Sequence, residues 1–132
     1  MYMNIKKTAD LLLNFAIKRL AEIFGIIILL AGALLLIALI SYSPEDPNFI
    51  FPDSTEIKNL LGFHGSFISD LFFQSFGLIA YLISFTFMLT GMNIFRIKEF
   101  FLILENFFFS ILYCILGTLF LTYFYPVRFT LY

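Results

Sequence analysis

The single histidine of the sequence, His64, is the first candidate for chemistry. Three carboxylates stand near it in the chain, at Asp53, Glu56 and Asp70. Imidazole and carboxylate are both zinc ligands, but one imidazole rarely suffices, and the spacing matches neither HxxE nor HExxH. The sequence therefore predicts no metal site, and it favours a loop histidine without a catalytic role.

Other reactive groups are equally sparse. Cys114 is the single cysteine, so the chain can form no internal disulfide and no cysteine-based metal site. A phosphate-wrapping loop needs the pattern GxxxxGK[ST], but none of the seven glycines is followed by lysine. One loop histidine also leaves no Ser–His–Asp arrangement. We expect a chain that is not an enzyme as it stands, with no catalytic residue, no cofactor and no small-molecule substrate.

The composition indicates a membrane protein. Hydrophobic residues make up 61% of the chain and charged residues 13%, with a mean hydropathy of +0.98. Soluble domains average about 25% charged residues, so the excess apolar surface needs lipid. A net charge of −1 argues against a nucleic-acid-binding face, which needs clustered Lys and Arg. The expected partner is the lipid bilayer, without direct nucleic-acid contact.

Three uncharged stretches are long enough to cross a hydrocarbon core of ~30 Å, which takes about 20 helical residues. They lack the alternation of barrel strands, so only helices satisfy their backbone in lipid. The predicted spans cover about 20–40, 71–93 and 104–124, followed by a tail at 125–132. The first apolar run is too long for a cleaved signal peptide. The predicted fold is all-α: an integral membrane helical bundle with three transmembrane helices and an N-terminal amphipathic helix.

Basic residues predict the orientation of these spans. Lys and Arg concentrate before the first span and between the second and third, at Lys6, Lys7, Lys18, Arg19, Arg96 and Lys98. The loop 41–70 carries only Lys58 against five carboxylates. We therefore predict a multi-pass protein with a cytoplasmic N-terminus. The loop 41–70 is then outside, which in a bacterial inner membrane is the periplasm.

The segments outside the spans are predicted to lie at the membrane surface. Residues 1–19 suit an amphipathic helix on the cytoplasmic leaflet, with a disordered start as the alternative. In the loop, DSTEIKNLLG predicts a short helix, capped by Asp53 or Ser54 and terminated by Gly62. The loop is too small for a core of its own. Its phenylalanines are expected to enter the interface: Phe49, Phe51 and Phe63.

Small and weakly polar residues recur at helical spacing inside the predicted spans. A transport path would require ionisable residues inside the spans, and none lies between the interfacial positions. Small residues let helices approach closely in lipid, so we interpret them as packing residues rather than as a hydroxyl-lined path. They are Gly25, Gly32, Gly77, Gly91, Ser110, Cys114 and Thr118.

Three motifs follow one another in a recognisable order. S-Y-S-P-x-D-P closes the first span, N-x-x-G-x-x-G lies in the loop, and D-x-x-F-x-x-F-G enters the second span. Together, over roughly residues 19 to 100, they resemble the N-terminal membrane region of FtsK/SpoIIIE-type DNA translocases. The residues of the motifs with expected structural roles are Pro44, Asp46, Pro47, Asn59, Gly62, Gly65 and Asp70.

Physical roles follow for several of these residues. Pro44 and Pro47 would fix where the first helix ends. Gly62 and Gly65 would permit tight turns with positive φ. Asp70 would cap the N-terminus of the second span and meet its helix dipole.

The resemblance implies a protein of the bacterial inner membrane at the division septum. In that family four helices anchor a linker and a cytoplasmic hexameric ATPase that pumps chromosomal DNA. The membrane region is similar to a septum-targeting module that contacts other division-septum membrane proteins. The expected function is therefore that of a membrane anchor in cell division and chromosome segregation, which forms a homo-oligomer when attached to the motor.

The chain departs from the family pattern in its length. It contains three predicted spans rather than four, and no linker or ATPase. A truncated piece of a longer protein is favoured over a free-standing remnant. The alternative function is that of a small accessory membrane subunit of a transporter or respiratory complex.

Overall fold

The structure is a computed structural model that describes residues 2–47 and 56–124. It contains four helices: α1 (Tyr2–Ile40), α2 (Gly62–Phe76), α3 (Ile79–Ile97) and α4 (Phe101–Phe124). The described ranges contain no strand, and three of the helices, α1, α3 and α4, are long and apolar enough to cross a membrane. The predicted fold class, an all-α membrane bundle with three spanning helices, is confirmed.

The first span and the basic segment before it form a single helix. α1 contains 39 residues, and at 1.5 Å per residue it is about 58 Å long, nearly twice a ~30 Å hydrocarbon core. No glycine or proline interrupts it before Gly25. Residues 4–20 are exposed along their whole length. Only the C-terminal half of α1 therefore packs within the bundle.

α1 and α3 form the centre of the bundle through direct backbone contact. A Cβ added at Gly25 would lie 2.7 Å from the amide nitrogen of Phe95 and 2.8 Å from the carbonyl oxygen of Gly91. Side chains cannot be fitted into such gaps, so only glycine permits the approach. The core follows the same seam and consists of Leu35, Leu39, Ala80 and Ile83. α4 packs against α3 from outside and has no buried residue.

The predicted second span, 71–93, is wrong in its boundaries because the chain breaks at Gly77. Gly77 adopts φ 58° and ψ −138°, a conformation that side chains disfavour, so α2 ends at Phe76 and α3 begins at Ile79. Gly77 is consequently not a helix-packing residue of a continuous span. Because no charged residue occurs between Leu71 and Phe95, on either side of this break, the charge pattern did not reveal it.

The predicted loop helix is also wrong within the described residues. Residues 56–58 are not helical, and Gly62 begins α2 instead of terminating a helix. The predicted caps Asp53 and Ser54 lie outside the described residues. So do Phe49, Phe51 and the tail 125–132.

Candidate functional site

The C-terminus of α1 is capped by side chains from distant parts of the chain. The last four carbonyl groups of a helix have no partner within it. Asn59 donates from Nδ2 to the carbonyl oxygen of Ala38 at 2.9 Å, and the Tyr81 hydroxyl donates to that of Leu39 at 3.2 Å. We call residues 41–47 and 56–61, together with α2, the loop platform. The Asn59 bond attaches the loop platform to the end of α1, and the Tyr81 bond attaches α3 to it.

Asp46 joins the two halves of the loop platform. Its carboxylate accepts hydrogen bonds from the backbone amides of Lys58 and Asn59, both at 2.8 Å, and the residue is only 4% exposed. Hydrogen bonds to an ionised acceptor are roughly twice as strong as neutral ones. Asp46 of the first motif and Asn59 of the second are therefore parts of one structure.

The positive φ predicted for both glycines of the second motif occurs at Gly62 but not at Gly65, which lies within α2. Gly62 adopts φ +67° with open space around it, so its conformation, rather than crowding, requires glycine. Gly65 is buried, and a Cβ there would lie 2.5 Å from Cβ of Leu61 and closer still to Oδ1 of Asn59. Asn59 can cap α1 only because Gly65 leaves room for its side chain.

The third motif predicts that Asp70 caps a helix N-terminus, and this prediction is wrong. Asp70 lies in the interior of α2, where the helix amides already have intrahelical partners. Its carboxylate accepts from the Tyr42 hydroxyl at 3.0 Å and from Nε2 of Gln74 at 2.7 Å. Asp70 thus fastens α2 to the segment that follows α1.

Both prolines stand in the turn after α1. Pro44 is exposed and, in a continued helix, its missing N–H would leave the carbonyl of Ile40 without a donor. Pro47 is buried, and its carbonyl oxygen accepts from Oγ of Ser66 in α2 at 2.6 Å. Pro47 therefore contributes an acceptor to the loop platform.

An exposed ion pair joins the two turns of the loop platform. Lys58 bonds to Glu45, which lowers the pKa of the Glu45 carboxyl and raises the pKa of the Lys58 amine. His64 is exposed on α2. Within the described ranges no three metal-ligating side chains come together.

The helix-packing residues fall into two groups. Gly25, Gly32 and Gly91 are buried at the α1–α3 contact, where a Cβ on Gly32 would lie 2.8 Å from the Met88 amide nitrogen. The residues on α4 pack less. Ser110 and Cys114 are half-buried, whereas Thr118 is exposed. The hydroxyls of Ser110 and Thr118 donate to carbonyls of their own helix.

Polar contacts between α3 and α4 escaped the sequence analysis. Asn106 donates from Nδ2 to Oγ1 of Thr90 at 2.9 Å, and the hydroxyls of Thr86 and Tyr113 lie 2.7 Å apart. Asn106 and Thr90 border a cavity of about 160 Å³ between α1, α3 and α4. The signal in the sequence was a lone amide, Asn106, within an apolar stretch.

An ion-pair cluster marks the opposite end of the bundle from the loop platform. Glu22 contacts Nζ of Lys98 and Nη1 of Arg19, both at 2.6 Å. Lys98 has φ 62°, and as the left-handed C-cap of α3 it donates its amide to the carbonyl of Ile94 at 2.7 Å. The cluster ties the α3–α4 link to α1.

Comparison with known proteins identifies the family. The model of the 4TM region of DNA translocase FtsK/SpoIIIE matches residues 17–132. The DNA translocase FtsK of Rhizobium meliloti (strain 1021) is 37% identical over 67 residues, which are 51% of this chain and 8% of that protein. That of Rickettsia bellii (strain RML369-C) is 36% identical over 78 residues, 59% and 10% of the two chains.

A third relative, the DNA translocase FtsK of Azospirillum brasilense, is 34% identical over 79 residues, 58% of this chain and 12% of that protein. The matched region thus spans only about a tenth of the length of these relatives. No solved structure matches the chain. The chain is a multi-pass membrane protein that belongs to the family of the 4TM region of DNA translocase FtsK/SpoIIIE.

Proposed function

We propose that this chain is the membrane anchor and septum-targeting region of an FtsK-type DNA translocase, acting in cell division and chromosome segregation. The observation that carries this proposal is the family match over residues 17–132. The loop platform supports it, because the motifs of the resemblance converge on one hydrogen-bonded structure at one end of the bundle. A surface held by so many long-range bonds suits recognition by a partner.

The proposed topology places the N-terminus in the cytoplasm of a bacterium and the loop platform at the periplasmic face of the inner membrane. The cluster of Arg19, Glu22 and Lys98 supports it, since it brings both basic segments to the same end of the bundle. The acidic residues Glu45 and Asp46 lie at the other end. This distribution agrees with the positive-inside rule.

The proposed partners are other division-septum membrane proteins, which would meet the loop platform. DNA pumping and ATP hydrolysis are assigned to parts of the translocase outside this membrane region. The helices hold that motor at the septum, and the motor's assembly makes the anchors a homo-oligomer.

The test is the cellular position of the chain. A fluorescent protein fused to the N-terminus should collect in a band at mid-cell in dividing bacteria. Asp46→Ala should weaken the band while leaving the protein in the membrane, whereas Glu45→Gln, its exposed neighbour, should leave the band intact. Uniform membrane fluorescence from the unaltered chain, with co-purification of a transporter or respiratory complex, would favour the accessory-subunit alternative.

The topology can be measured with cysteine labelling in a Cys114→Ser background. Glu45→Cys should react with a membrane-impermeant maleimide in spheroplasts, and Lys7→Cys only after lysis. The reverse pattern would invert the proposed topology.

A further inference from the structure

α2 buries small and polar residues while it exposes several large apolar ones. Its buried residues are Gly65, Ser66, Ser69 and Asp70. Phe72, Phe73 and Phe76 are partly buried against the core, but one face exposes Phe63 to 45%, Ile68 to 40% and Leu71 to 53%. A surface helix in water shows the opposite arrangement, with the apolar stripe inward.

The inward polar face of α2 cannot rotate outward without losing its hydrogen bonds. Ser66 donates to the carbonyl of Pro47, and the Ser69 hydroxyl accepts from Nδ2 of Asn59 at 3.4 Å. Asp70 accepts from the hydroxyl of Tyr42. Since a buried polar group that loses its partner is destabilising, these bonds favour the orientation in which Phe63, Ile68 and Leu71 face outward.

The outward face carries no formal charge. Asp70 is the single Asp, Glu, Lys or Arg in α2, and it is buried. The exposed polar residues of α2 are His64, Gln74 and Ser75. A face of this composition is compatible with the interfacial part of a bilayer and poorly suited to full exposure in water.

The beginning of α2 lies beside the spanning part of α1, on the N-terminal side of the last residue of that helix. Asn59 reaches the carbonyl of Ala38, so the chain turns into α2 at the level of the last turn of α1. Side chains of both helices and of α3 line an apolar groove of about 520 Å³. The α1 residues of this groove are Ala31, Leu34, Leu35 and Ala38, all within the segment long enough to cross a membrane.

We propose that α2 is a re-entrant helix, embedded in the leaflet that contains the C-terminus of α1, with phospholipid acyl chains covering Phe63, Ile68 and Leu71 and filling the groove. Its 15 residues extend over about 22 Å, too short to cross a ~30 Å core. The groove continues the lipid-facing surface of α1. Of the described part of the loop, the turns at 41–47 and 56–58 then face water.

The absence of tryptophan from the sequence allows a direct measurement of depth. The full chain carrying Leu71→Trp is reconstituted in phosphatidylcholine vesicles whose acyl chains are brominated either near the headgroup or near the methyl end. Glu45→Trp is the water-facing control, and Leu30→Trp, exposed near the middle of the spanning part of α1, is the deep control. Ile68→Trp repeats the test on the same face of α2.

We expect Leu71→Trp and Ile68→Trp to lose most of their emission to the shallow bromines and little to aqueous acrylamide. Leu30→Trp should respond most to the deep bromines, and Glu45→Trp to acrylamide alone. If both α2 variants respond as Glu45→Trp does, while circular dichroism shows unchanged helicity, the face lies in water and the proposal is overturned. A face in water would be free for a protein partner instead.

Discussion

Replacing Asp46 with asparagine tests whether one buried carboxylate holds the loop platform together. Asp46 accepts from the amides of Lys58 and Asn59, both at 2.8 Å. Asparagine has nearly the same shape but offers one acceptor oxygen, so one amide loses its partner and faces an NH₂ group. A hydrogen bond to a charged group contributes ~1.5–3 kcal/mol.

The expected loss of stability is reduced because one of the two donors, the Lys58 amide, belongs to an exposed residue. Lys58 is exposed, so water can replace part of its lost bond, whereas the Asn59 amide is buried. We therefore expect the free energy of local opening to fall by about 1–3 kcal/mol, the range for one unpaired buried donor. That corresponds to roughly 5- to 150-fold more frequent opening, at about 1.36 kcal/mol per factor of ten.

Hydrogen exchange of two reporter amides measures this opening. The amide of Leu61 donates to Oδ1 of Asn59 at 3.0 Å, and that of Gly62 to the Asn59 carbonyl at 2.9 Å, so neither bonds directly to the altered side chain. Both should exchange faster in Asp46→Asn by the stated factor, in detergent micelles or vesicles. Amides in the middle of α3 should be unaffected.

Glu45→Gln is the matched control for Asp46→Asn. Glu45 neighbours Asp46 and pairs with Lys58, but both side chains are largely exposed, and exposed ion pairs contribute little. The reporter amides should keep nearly their original rates. Unchanged rates in Asp46→Asn, or equal acceleration in Glu45→Gln, would refute the reasoning, because the surface pair would then hold the loop.

Three further predictions concern the bundle and the ion pair. Gly91→Val should separate α1 from α3 and destabilise the bundle by about 1–3 kcal/mol or more, which is the cost of overpacking. Unfolding is measured by titration with a denaturing detergent, and an unchanged transition would contradict the close backbone contact. Asn106→Leu should remove the bond to Thr90 and loosen α4 by about 0.6 kcal/mol, the average for such bonds in lipid, with faster exchange of α4 amides as the measurement. The small stabilisation from the Glu45–Lys58 pair should be lost as pH falls through the lowered pKa of Glu45, below its ordinary 4.5. It should also be lost as pH rises through the raised pKa of Lys58, above its ordinary 10.5. If the stability of the protein does not respond to salt near neutral pH, where both groups are charged, the prediction is contradicted.

The sequence by itself determined the class of the fold. Long uncharged segments predict membrane helices, because each apolar residue contributes to transfer into lipid independently of its neighbours in space. The three motifs also located the residues of the loop platform, including Asp46, Asn59 and Gly65, before any contact between them was known. What the sequence left open was how these residues act.

Only the tertiary structure decided which groups meet. Asp46 and Asn59 are separated in the chain by residues outside the described ranges, yet one caps the amide of the other. Gly77 breaks an apolar stretch through its backbone conformation, and Asp70 bonds to Tyr42 rather than capping a helix. Hydropathy sums single residues, whereas caps, breaks and the inward polar face of α2 depend on pairs brought together by folding.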